Sequence, residues 1–85
     1  MFVVIPTSPD HKLDQVIGAS FPKDHYKLPL GQWMISFDGT SKELSDKLGI
    51  SEGTNGLGVV AAINGYFGRA PTGLWEWMKA KMEKG

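Results

Sequence analysis

The sequence predicts an α+β fold, and three observations predict it. Short β-branched or aromatic runs recur at residues 2–5, 25–28, 32–37 and 59–63. Segments with helical spacing and recognisable caps separate the first two runs, separate the last two, and follow the final one. The resulting order, β-α-β-β-α-β-α, segregates helices to the faces of an antiparallel sheet rather than alternating strictly with parallel strands.

Phe2-Val3-Val4-Ile5 is apolar at every position, so it reads as a strand covered on both faces. Ser8-Pro9 reads as a helix start: Ser8 offers an oxygen to orphan N–H groups and Pro9 suits the first helical position. Leu13, Val16 and Ile17 then recur at helical spacing, with Asp10 and Asp14 near the positive end of the helix dipole. Gly18 and Phe21-Pro22 close that helix. His25-Tyr26-Lys27-Leu28 alternates, Pro29-Leu30-Gly31 reads as a tight turn, and Gln32 to Phe37 alternates again. Two such runs about a short Pro/Gly loop predict a β-hairpin. Its second strand puts Trp33, Ile35 and Phe37 on one face and Met34, Ser36 and Asp38 on the other.

Thr40-Ser41-Lys42-Glu43 fits a capping box, Leu44 and Leu48 make an apolar stripe, and Gly49-Ile50 fits a left-handed helix end. Gly53 to Gly58 reads as a loop and Val59 to Ile63 as a strand, which Asn64-Gly65 ends. Thr72 is expected to cap a last helix. That helix carries Leu74, Met78 and Met82 on one stripe, with Lys79, Lys81 and Lys84 towards its negative end.

The first six elements follow the split βαβ, ferredoxin-like pattern, with a C-terminal helix added. Two helices then cover one face of a four-stranded antiparallel sheet whose central strands are the first and third. If residues 25–28 were loop, a three-stranded β/α sandwich would remain. The likeness is one of architecture and implies no activity.

Composition narrows the function classes. The 85 residues read as a single domain, 1–85, with 41% hydrophobic content and three tryptophans, enough for a real core. A chain this short buries only about 60–65% of its unfolded surface, so it gains from association. Nine basic and nine acidic residues cancel, and no RRM signature is present, so nucleic acid is not an expected partner. Without cysteine there is no disulfide, thiolate nucleophile or Cys-based zinc site. The N-terminal apolar run stops at Pro6 with no basic residue before it, and no segment approaches the roughly 18 apolar residues of a membrane span. A cytoplasmic protein with no membrane partner and no cofactor is expected.

Two Asp-His pairs, Asp10-His11 and Asp24-His25, invite a metal or acid–base reading. Sequence neighbours on a helix or strand do not face one another, however, and no third ligand suggests itself. The hydroxyl residues form no G-x-S-x-G elbow and no S-x-x-K pattern. The segment from Asn64 to Gly73 holds the chain's only arginine, Arg69, among glycines and ahead of a helix start. Asn64, Arg69 and Thr72 are therefore the candidate residues for a small anion, although the segment matches neither Walker A nor the dinucleotide fingerprint. Trp75, Trp77 and Met78 are the candidate partner-binding residues, since aromatic anchors and methionine are enriched at interfaces. Trp75 and Trp77 point about 200° apart on a helix, so one is expected in the core and the other left over. The expectation is a non-enzymatic interaction or regulatory module that self-associates as a homodimer or binds a protein partner. A binder of small anions through the Asn64–Thr72 loop is the alternative, and an enzyme ranks third.

Overall fold

The computed structural model describes residues 1–65 and 72–84; the anion candidate Arg69 lies outside the described residues. The chain runs β1 (Phe2–Pro6), α1 (Leu13–Ser20), β2 (His25–Lys27), β3 (Trp33–Ile35), α2 (Ser41–Leu48), β4 (Gly58–Ala62) and α3 (Thr72–Lys84). The four strands form one sheet in the order β2-β3-β1-β4. Every neighbouring pair is antiparallel, with Val4 opposite both Trp33 and Val60. Because residues 25–27 pair with β3, the three-stranded alternative does not apply.

Strand alternation sorts the sheet's side chains into two cores. Phe2 and Val4 from β1 and Trp33 and Ile35 from β3 pack against Leu13 and Ile17 of α1 and Leu44 and Leu48 of α2. Six of these eight are fully buried, Trp33 is nearly so and Phe2 is 5% exposed. Each aliphatic side chain so buried stabilises the fold by about 1.5–3 kcal/mol. On the opposite face Met34 packs under Leu74 and Met78 of α3, with Val3, Tyr26, Leu28 and Ile63 around them. The sheet is thus the middle of three layers.

The caps of α2 follow the sequence closely. The Glu43 backbone N–H donates to the Thr40 hydroxyl at 3.1 Å, and the Thr40 N–H donates to the Glu43 carboxylate at 3.0 Å. Gly49 ends the helix in the left-handed region, φ 75°. The Asn55 amide lies against its bare Cα and donates to the Leu48 carbonyl at 2.9 Å, so a side chain at 49 has no room.

Two expectations are corrected. Helix α1 begins at Leu13, not at Ser8-Pro9, and its flanking residue Lys12 makes no side-chain cap. Ser8 is engaged elsewhere: its hydroxyl accepts the Leu57 N–H at 3.2 Å, beside the Thr7 N–H bond to the Leu57 carbonyl at 2.8 Å. Pairing with the distant β4 lead-in has displaced a local cap. Thr72 is the first helical residue of α3 rather than its flanking cap, which puts the cap position outside the described residues.

Candidate interaction surface

Helix α3 is laid over the sheet on a face only four residues wide. At about 100° per residue, Leu74 and Met78 stand about 40° apart, and Trp75 and Trp77 fall about 80° to either side of their bisector. Leu74 and Met78 accordingly point into the sheet, 6% and 2% exposed, while both tryptophans are half-buried along the flanks. Neither tryptophan is left over. The 200° between the two indoles does not force one out of the core, because the buried stripe of Leu74 and Met78 lies midway between them and lets both pack along its sides.

Trp77 meets Tyr26 of β2 with ring centroids 5.8 Å apart. On the same side, one turn further on, the Lys81 ammonium reaches the Asp24 carboxylate at 2.6 Å. That lysine is mostly covered, at 18% exposure, so its ion pair fastens the C-terminal end of α3 beside the start of β2. Met1, Asp24, Ser36, Phe37, Asp38, Lys81 and Met82 line an open cleft of about 540 Å³ at that end.

Elsewhere the charged side chains are surface fittings. Lys27 pairs with Asp14 at 2.7 Å and lies over the Trp33 ring, 5.5 Å from its centroid. Lys42 pairs with Asp46 one helical turn on at 3.0 Å. A hydrogen bond from the Ser51 hydroxyl, with Lys42's bond second, holds the Asp46 carboxyl below the ordinary carboxylate range. The two histidines serve local structure. His11 packs edge-on against Trp33 and accepts the Leu13 N–H at Nδ1, 3.4 Å; His25 Nδ1 bonds the Phe21 carbonyl. Among the described residues no three His, Asp or Glu side chains gather as metal ligands, and no helix is long and apolar enough to cross a membrane.

Of the residues singled out from the sequence, Met78 is committed to the second core, and Trp75 and Trp77 keep part of their surface in solvent. Asn64 and Thr72 are exposed.

The surface missed by sequence reasoning is at the other end of the sheet. Ile5 of β1 and Val59 of β4 are direct cross-strand partners, on the same face as Val3 and Ala61. They remain 40% and 51% exposed, and neighbouring Leu57 is 55% exposed. The expectation that residues 2–5 are covered on both faces therefore holds for Val3 but not for Ile5. These three aliphatic side chains lie in or beside β4, the outermost strand on that side of the sheet among the described residues. Compared with protein-family models, with curated proteins and with solved structures, the chain matches none.

Proposed function

We propose that this chain is a protein-interaction module that self-associates as a homodimer through the apolar strip of Ile5, Leu57 and Val59. The observation that carries the reading is the exposure of the cross-strand pair Ile5–Val59, at 40% and 51%, while Val3 and Ala61, the next pair on the same face, are half-buried. Isolated exposed aliphatics are ordinary, but adjacent ones beside a sheet edge mark an interaction surface. A small domain with a limited core gains stability when such a strip is buried. The zero formal net charge opposes no association of like copies.

The same proposal extends to architecture and setting. We read the β2-β3-β1-β4 antiparallel order, with α1 and α2 packed on one face, as a ferredoxin-like split βαβ unit to which α3 is added. A cytoplasmic setting accords with the absence of cysteine.

Light scattering on a gel-filtration column tests the reading. Native protein is expected to elute as a dimer at tens of micromolar. Val59→Lys is expected to elute at the monomer mass of 9.3 kDa with an unchanged circular dichroism spectrum. Identical masses for the two proteins would contradict the assignment of the strip.

A further inference from the structure

The two edges of the sheet are treated differently. At one edge β2 is three residues long, ends on Lys27 and is followed closely by Pro29. Short length, lysine and proline are the usual guards that keep an edge strand from pairing with another chain. At the other edge β4 is Gly-Val-Val-Ala-Ala. It lies in a stretch from Gly53 to Gly68 that contains no charged residue and no proline. Among the described residues no strand lies outside β4.

The hydrogen bonding shows which backbone groups that edge presents. The Thr7 N–H bonds the Leu57 carbonyl at 2.8 Å, and the Ile63 N–H bonds the Met1 carbonyl at 2.9 Å. Both bonds keep the register in which Val59 faces Ile5 and Ala61 faces Val3. In an antiparallel ladder, residues that bond the partner strand alternate with residues whose N–H and C=O point away from it. Leu57, Val59, Ala61 and Ile63 are the inward-bonding set. Gly58, Val60 and Ala62 therefore aim their N–H and C=O groups at the free edge.

Resting on the association reading above, we infer that two copies join edge to edge, β4 against β4, about a two-fold axis through the paired Val60 residues. The outward set is self-complementary about that centre. Val60 exchanges both backbone bonds with the second copy's Val60, and Gly58 does so with Ala62 in both directions. Two four-stranded sheets become one continuous sheet. No like charges meet, because the paired segments carry none. A two-fold antiparallel pairing also keeps equivalent faces on the same side, so Val59 stands opposite the small Ala61 of the other copy. The two Val59 side chains become diagonal neighbours, and each Ile5–Val59 strip continues into the other. Within each copy the bare Cα of Gly58 keeps β4 close to β1: a Cβ there would stand 2.9 Å from the Ile5 carbonyl oxygen.

Amide hydrogen exchange on the native protein tests the pairing without any variant. Between dilute and concentrated samples, the Gly58, Val60 and Ala62 amides are expected to slow in step with the dimer fraction. The Val59 and Ala61 amides, already bonded to β1, serve as the reference and should change far less. Independently, Val59→Cys combined with Ala61→Cys places cysteines across a non-hydrogen-bonded pair whose Cα atoms are about 4.5 Å apart, within disulfide reach. Mild oxidation is expected to give a covalent dimer. A dimer whose three outward amides exchange at the same rate at both concentrations would overturn the β4 pairing and leave the association reading standing. A chain that stays monomeric throughout overturns both.

Discussion

Ile5 and Ile35 are the same side chain in adjacent strands, yet Ile5 is 40% exposed and Ile35 is fully buried. The difference follows from which layer lies over each. Ile35 faces the double-helix layer of α1 and α2, whereas Ile5 faces the side covered only by α3. At thirteen residues, α3 spans about 20 Å, and the Lys81–Asp24 pair fastens its C-terminal end beside β2. Ile35→Ala is expected to cost about 2–5 kcal/mol of folding stability, since it empties a closed site. Ile5→Ala should cost less than about 1 kcal/mol in the monomer and weaken self-association instead. Chemical denaturation of the two variants checks the contrast. Equal losses would show that Ile5 belongs to the core.

The capping box gives a second expectation. Thr40→Ala removes the side-chain acceptor for the Glu43 N–H and leaves only the backbone N–H of residue 40 donating to the Glu43 carboxylate. The loss should be about 1 kcal/mol, or about 4–8 °C in melting temperature for a domain of this size. Thr40→Ser, which keeps the hydroxyl, should recover most of it.

Met78 carries the third. It is 2% exposed on the sheet-facing side of α3, deeper than Leu74 at 6%. Met78→Ala is expected to destabilise by about 2–5 kcal/mol. It should also shift tryptophan emission to longer wavelength, since Trp75 and Trp77 pack on the same cluster. An unchanged spectrum would mean that α3 does not depend on this contact.

The Asp46 carboxyl is the fourth. Hydrogen bonding from Ser51, then from Lys42, holds its pKa below the ordinary value in the folded chain. A lowered folded value means the interaction contributes at pH above the unfolded pKa and is lost as pH falls through the folded one. Carbon-detected titration should find the Asp46 midpoint below the ordinary aspartate value, and Ser51→Ala should move it upward. No movement would remove Ser51 as the main cause.

What could be read from the residues was what short-range chemistry decides. The Thr40–Glu43 box and the Gly49 terminus are set by groups within a few residues, and both stand as their spacing indicates. The face of β3 carrying Trp33 and Ile35 was equally legible, because a strand's alternation is local. Ser8 misled because its local option, capping a helix, lost to the Leu57 amide from a distant loop. The flanking placement of Trp75 and Trp77, and the exposure of Ile5, depend on where α3 lies over the sheet. Nothing in the amphipathic pattern of α3 states that position. The Ile5–Val59 strip did leave a trace in the uncharged run from Gly53 to Gly68, which read only as a loop and a strand until β4 was placed at an edge.

Sedimentation velocity across a wide concentration range bears most directly on the central claim. Self-association through the strip predicts a reversible shift from monomer to dimer, with a single boundary moving faster as concentration rises, and loss of that shift in Val59→Lys. One species of 9.3 kDa at every concentration up to the millimolar range would contradict it.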